Sequence, residues 1–216
     1  ESNIKHIPFI ITHRLSAFYK ISSTINHKNE LINHFAKNKY LNNQFAKLSK
    51  SKKIVLNWSL PKENLLSVII PTKDNYTILK NCIKSIYKYE AGCNLEIIIV
   101  DNNSEKKQTL DFLEEFKKNS TNYSKNRILR FREKFNFSKM NNLAVKKSNG
   151  NTILLLNNDV EFKSKNWGFY LSSNANRSDI GCVGAKLLFE DNTIQHAGVI
   201  LGIGGVDGHS HKYFNG

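Results

Sequence analysis

An α/β fold with a mainly parallel sheet is what this sequence predicts, and three observations predict it. Short aliphatic runs alternate with segments whose apolar residues recur at helical spacing. The runs are continuous, as expected of strands buried on both faces. Three of them stop at polar clusters: Pro71-Thr72-Lys73-Asp74, Asp101-Asn102-Asn103-Ser104 and Asn157-Asn158-Asp159.

The elements follow in order. Residues 1–27 read as a short extended or irregular piece followed by a polar stretch. Residues 28–49 read as a basic amphipathic helix, with Leu31, Ile32, Phe35, Ala36, Tyr40, Leu41, Phe45 and Leu48 near helical spacing. SKSKK (Ser49 to Lys53) breaks that pattern, and Leu60-Pro61 closes a short linker. The boundary is set there: an N-terminal extension over 1–53 and the main domain over 54–216. Ser67 to Pro71 is the first buried strand, and Tyr76 to Tyr89 a helix with Ile78, Leu79, Cys82, Ile83 and Ile86 on one stripe. Leu95 to Asp101 is the second strand, Gln108 to Lys117 the second helix, and Arg127 to Phe131 a short third strand. Ser138 is the expected N-cap of a helix through Lys147, ended by Asn149-Gly150, and Thr152 to Leu156 is the fourth strand. GAKLLF and TIQHAGVI read as two strands around a polar turn, and GIGGVDG (Gly202 to Gly208) as a mobile loop. Cys82, Cys182, Trp58 and Trp167 read as packing residues.

Composition bounds the function classes. Hydrophobic residues make up 40% of the 216, and no apolar run approaches the ~20 residues needed to span a bilayer. The most apolar N-terminal stretch, IPFIITHRLSAF, is interrupted by His13 and Arg14 and lacks a signal-peptide cleavage site. Three cysteines without metal spacing suit a reducing compartment, so the expected location is the cytoplasm. Net charge is +14, and residues 1–66 hold eleven Lys/Arg against three acids. Such charge suits nucleic acid, anionic membrane or phosphorylated small molecules, and does not choose among them. The chain opens at Glu1, not Met, which reads as a piece of something longer.

The strand ends are more selective. In a parallel sheet the C-terminal ends lie side by side, so two carboxylates and several amides converge on one crevice. Asp101 there can accept hydrogen bonds from a ribose or a base N–H. Asp159 can hold Mg²⁺ or Mn²⁺ together with phosphate oxygens. That combination indicates a nucleotide-diphosphate site. No G-x-G-x-x-G follows the first strand and no G-x-x-x-x-G-K-[ST] occurs, which argues against a dinucleotide-binding Rossmann domain and a P-loop protein.

SVIIPTKD, EIIIVDNNS, FNFSKMNNLAVKKSNG, ILLLNNDVEF and VGAKLLFEDNTIQHAGVILGIGGVDGHSH stand in the order and spacing of family 2 inverting glycosyltransferases. The sequence resembles most the bacterial enzymes of O-antigen and capsule synthesis, rhamnosyltransferase-like members among them. The resemblance covers about residues 54–213, and residues 3–14 resemble the tail of an upstream module. It implies a GT-A fold, a nucleotide-diphospho-sugar donor, a glycan or lipid-linked acceptor and Mn²⁺ or Mg²⁺ as cofactor. It implies that Asp101 contacts the base beside Pro71, Thr72, Asp74 and Asn103. It places Asn142 and the helix from Ser138 near the nucleotide, and makes Asn158 and Asp159 the end of a DxD-type motif, with Asp159 the metal acid. Asn157 stands where the simplest form of that motif has its first Asp. The general base of the family lies downstream of the GHSH region, so these 216 residues are expected to bind nucleotide and turn over little.

Gln195, His196 and His209 are candidates for a sugar or acceptor pocket. His196, His209 and His211 could instead ligate Zn²⁺, with polar loop histidines beside the donor site as the plainer reading. The alternative to an enzyme is a non-catalytic GT-A-like module whose basic N-terminal region docks on a membrane or partner. A peripheral contact with the inner membrane surface is compatible with either reading. Nucleic acid, favoured by charge alone, is not an expected partner.

Overall fold

The computed structural model describes residues 45–48, 54–120, 124–202 and 205–215. The chain divides into two compact units, Glu1–Trp58 and Ser59–Gly216. In the first, β1 (Phe45–Leu48) pairs antiparallel with β2 (Ile54–Asn57). The helix expected over 28–49 is thus corrected at its end, where Phe45–Leu48 is a strand; residues 28–44 lie outside the described residues. A spacing of three between Phe45 and Leu48 does not by itself separate the helical period from the extended one.

The second unit alternates strand and helix as expected: β3 (Leu65–Thr72), α1 (Tyr76–Lys88), β4 (Asn94–Asp101), α2 (Lys107–Lys118), β5 (Ser124–Arg130), α3 (Phe137–Lys147) and β6 (Thr152–Leu155). The four strands form one parallel sheet in the order β5-β4-β3-β6. Successive side chains of a strand face opposite ways. Val68, Ile70, Ile97 and Ile99 therefore pack with Leu79, Cys82, Ile83, Ile86, Leu113 and Phe116 of α1 and α2. Ile69, Ile98 and Val100 face the other way, onto Met140 and Ala144 of α3. The result is a three-layer α/β unit whose two central strands are buried on both faces.

The N-cap of α3 is Asn136, whose Oδ1 accepts from the Lys139 N–H at 2.9 Å; this corrects Ser138, which lies inside the helix. Beyond β6 a fourth helix, α4 (Trp167–Ala175), was not foreseen. Trp167 at its start is buried and stacks on Phe162 with centroids 3.8 Å apart, in keeping with a packing role. The last stretch forms β7 (Leu187–Leu188) with β8 (Ile194–His196), and β9 (Val199–Leu201) with β10 (Asp207–His209). Part of GIGGVDG, read as loop, is thus strand, with Gly202 and Gly205 at positive φ in the connection. Cys82 is fully buried, and burial pushes its thiol up to about 12. Cys182 is exposed, which corrects its assignment to the core.

One row of contacts locks the amino-terminal half of the sheet. Gly150 sits so close to β3 that a Cβ there would lie 2.7 Å from the Leu65 carbonyl oxygen and 2.8 Å from the Ser67 nitrogen. Both are backbone atoms of a paired strand and cannot swing aside. Gly150→Ala is expected to cost about 2–3 kcal/mol, in the range of overpacked cores, as a lower urea midpoint at unchanged slope.

Candidate functional site

The C-terminal edge of the sheet is organised by register. Thr72 of β3 pairs with Asp101 of β4, and Asp101 pairs with Arg130 of β5, so the three stand in one crosswise row. Asp101 is fully buried. Its carboxylate accepts from Arg130 Nη1 at 2.5 Å, from the Ser104 N–H at 3.3 Å and from the Ser104 hydroxyl in a short contact. Ser104 Oγ in turn accepts the Asp74 N–H at 2.7 Å. Asp74 and Asn75 both adopt the left-handed conformation (φ 51° and 53°), as does Asn103 (φ 55°). These are residue types that tolerate it.

Asp74 has a structural task that its sequence position did not reveal. Its Oδ1 accepts from the N–H groups of Glu105 (3.0 Å) and Lys106 (2.9 Å), capping the amino end of α2 from another loop. The Lys106 N–H is the main cause holding the Asp74 carboxyl below its usual range. Asn102 pins the opposite wall. Its Nδ2 donates to the carbonyls of Phe131 (3.2 Å) and Glu133 (2.9 Å), and its own N–H donates to Thr72 O at 2.9 Å.

Between these walls lies a cleft of about 440 Å³ lined by Lys73, Asn102, Asn103, Arg132, Glu133, Lys134 and Phe135. Glu133 is paired with Lys139, which leaves Lys73, Arg132 and Lys134 as the charge facing the cleft. Such a surface suits phosphates, and the exposed Phe135 ring offers a face for a base. Asn103 is the predicted residue that lines it directly; Thr72 and Asp101 form the row beneath. Arg130, Arg132, Lys134 and Phe135 were missed, although the alternating basic and aromatic run Arg130-Phe131-Arg132 was there to be seen.

The other side of the edge is the topological switch point, where β6 joins the first strand instead of the third. Crevices of this kind hold ligands in open α/β sheets. Asn158 Nδ2 donates to Thr72 Oγ1 at 3.0 Å across it, and Pro71 lies half-buried beside Thr72. Asp159 is exposed in the turn after β6. Asp159 and Glu161 both add, after burial, to the rise of the Cys82 thiol, so two carboxylates gather at this strand end. No group of three or more His, Cys, Asp or Glu among the described residues could enclose a metal. An open site with one or two carboxylates is nevertheless what Mg²⁺ or Mn²⁺ takes when substrate phosphates complete the shell. Asn142 is exposed on α3 and does not line the cleft, whereas its neighbour Asn141 is buried.

Gln195, His196 and His209 come together in a second cleft of about 500 Å³, with Leu187, Phe189, Lys212 and Tyr213. The Nδ1 atoms of His196 and His209 are 3.0 Å apart. His211 instead lies against Ser210 and Phe214. No helix among the described residues is long and apolar enough to cross a membrane.

This geometry can be set beside known proteins. The chain is 39% identical over 159 residues to a Sinorhizobium fredii protein described as uncharacterized protein y4gI, covering 74% of this chain and 17% of that one. It is 35% identical over 146 residues to the O-antigen biosynthesis protein RfbC of Myxococcus xanthus, covering 67% and 11%. The chain thus spans less than a fifth of the length of these curated relatives. Among solved structures it is similar to the mannosyltransferase PcManGT of Pyrobaculum calidifontis in complex with GDP-Man and Mn²⁺ (TM-score 0.49, 13% identity, 74% of this chain and 44% of that one). It is also similar to S. aureus TarS 1-349 in complex with UDP (TM-score 0.38, 23% identity, 46% and 29%). Residues 67–171, which run from the first buried strand through the switch point and into α4 and so take in the parallel sheet with its flanking helices, match Glycosyl transferase family 2.

Proposed function

We propose that this chain carries the donor-binding part of a glycosyltransferase. It would move a sugar, with inversion, from a nucleotide-diphospho-sugar to a glycan or lipid-linked acceptor in bacterial surface polysaccharide synthesis. The family match over residues 67–171 and the O-antigen relative support the class. The observation that carries the reading is the edge itself, where a basic cleft, a buried Asp101 row and an acidic switch point share one end of one sheet.

In this reading the base lies against Phe135 and Asn103, and Arg132, Lys134 and Lys73 neutralise phosphate. The buried Asp101–Arg130 pair keeps the edge rigid, so little reorganisation is needed when donor binds. Asn158 and Thr72 orient the switch-point end, and Asp159, with Glu161 nearby, would hold Mn²⁺ or Mg²⁺. When bound, that ion supplies charge stabilisation to the departing diphosphate. The acceptor hydroxyl attacks the anomeric carbon as the bond to the nucleoside diphosphate breaks, and its proton passes to a carboxylate general base.

A second reading, a docking module without catalysis, is favoured by the β9–β10 hairpin, where Leu201 is 82% and Val206 79% exposed. Calorimetric titration of UDP, GDP and dTDP, with and without Mn²⁺, into the chain and its Asp159→Ala variant separates the two. One nucleotide is expected to bind in a metal-dependent manner, with affinity falling about tenfold or more in the variant. If no nucleotide binds with Mn²⁺ present, the donor reading fails and the docking reading stands.

A further inference from the structure

The second cleft carries groups that donor binding leaves unused. His196, His209, Lys212 and Gln195 supply its polar lining, and no carboxylate is among the described residues that line it. Phe189 and Tyr213 form its apolar part, their rings nearly parallel (6°) with centroids 5.6 Å apart. Lys212 Nζ lies 5.2 Å from the centre of the Tyr213 ring. The two Nδ1 atoms, 3.0 Å apart, share one hydrogen bond in which one donates and the other accepts, so the Nε2 of the accepting ring carries an N–H that is left for another partner.

The turn that presents Lys212 and Tyr213 is strained. His211 (φ 56°) and Tyr213 (φ 68°) are left-handed without being glycine or asparagine. Bulky residues adopt that conformation only when their surroundings enforce it, and such strain concentrates at functional sites. Here the enforcement is visible. The Ile194 N–H donates to Phe214 O and the Tyr213 N–H to Ile194 O, both at 2.8 Å, while Thr193 bridges to Asn215. The turn is thereby tied to β8, the strand that carries His196.

We propose that this cleft is an acceptor subsite for a sugar phosphate. Lys212 and the free Nε2–H of the His196–His209 pair hold the phosphate, and the C–H face of the sugar ring lies against Tyr213 and Phe189. The inference rests on the glycosyltransfer reading and names the class of acceptor it would take: one whose sugar carries a phosphate, free or as the head group of a lipid carrier. The Lys212 ammonium beside an imidazole N–H, with no carboxylate among the described lining residues, favours an anion over a neutral glycan, and paired rings favour a sugar over phosphate alone.

The test is calorimetric titration of the 216-residue chain with glucose 1-phosphate, methyl α-glucoside and inorganic phosphate, in the presence and absence of UDP and Mn²⁺. Glucose 1-phosphate is expected to bind at least about tenfold more tightly than either of the others, a difference consistent with one or two charge-assisted hydrogen bonds. Lys212→Ala and His209→Gln should each weaken it about fivefold or more while UDP affinity holds. A polyprenyl phosphosugar in detergent that binds more tightly still would identify the lipid-carried source, and equal affinity the free sugar phosphate. Glucose 1-phosphate and the neutral glycoside binding alike, or both variants binding like the parent, would overturn the proposal. So would inorganic phosphate binding as well as glucose 1-phosphate, or UDP displacing it, since the cleft would then hold a bare anion or the donor's diphosphate. Loss of UDP binding in the parent would count against the donor reading alone.

Discussion

Glu96→Ala is expected to destabilise the chain by about 3 kcal/mol, the largest loss foreseen for a residue outside the hydrophobic clusters. Glu96 is fully buried on β4 among aliphatic neighbours, on the face covered by α3. It accepts from the Ser67 hydroxyl (2.7 Å), Arg127 Nη1 (2.8 Å), the Asn149 N–H (2.8 Å) and Asn149 Nδ2 (2.7 Å). Arg127 also donates to Lys147 O at 2.6 Å, so one carboxylate joins two strands to the carboxyl end of a helix. Alanine would strand the Ser67 and Asn149 donors, while the part-exposed Arg127 turns to water, which keeps the loss near the lower end for broken buried pairs. Burial pulls the Glu96 carboxyl upward, but the Asn149 N–H, Ser67, Arg127 and Asn149 amide outweigh it and hold it below its ordinary value. A depressed folded-state value means that its contribution is complete above the unfolded-state value of about 4.3 and is lost as pH falls through the folded-state value. Urea midpoints of parent and variant measured from neutral pH downward should therefore converge in acid. A constant gap down to the acid limit would count against an ionised Glu96.

Arg130→Met is expected to cost about 2 kcal/mol of stability and to weaken nucleotide binding as well. Asp101 keeps no exposure, so losing the guanidinium leaves a buried carboxylate with Ser104 as its remaining partner. Glu114, 3.8 Å from Arg130 and largely exposed, contributes little by comparison. Arg130→Lys should recover part of the stability. Adding Asp101→Asn to Arg130→Met should recover most of it, because the uncompensated charge is then gone. If the double variant is no more stable than Arg130→Met alone, the pair is not what the edge depends on.

The central sheet was legible because its strands are unbroken aliphatic runs and their ends are polar. SVIIP and LEIIIVD locate both the core and the site with the same residues. What stayed hidden depended on partners distant in sequence. Asp74 caps a helix about thirty residues later. Glu96 interrupts LEIIIVD and is satisfied from Ser67, Arg127 and Asn149, so a periodicity argument passes over it. Arg132 and Lys134 vanished into a lysine-rich background, and only the fold of the loop after β5 singles them out. α4 lacked a signal of its own, since Trp167-Gly168-Phe169-Tyr170-Leu171 crowds its apolar residues together without a helical stripe. The His196–His209 pair is separated by a hairpin, and sequence could name both residues without saying that they touch.

The row Thr72–Asp101–Arg130 has a consequence for how such a sequence can change. Three chemically different groups are aligned by strand pairing, with no loop that could adjust them one at a time. Losing one residue from the middle of β4 would turn Asp101 toward α3 and bring the amide of Asn102 into the row in its place, because neighbours on a strand face opposite ways. Substitution can tune this edge, but changes of length cannot be absorbed within its strands. Insertions and deletions among descendants of this sequence should gather in the connections and leave the strand intervals fixed. The spacing of the polar clusters would then outlast the identity of most residues between them.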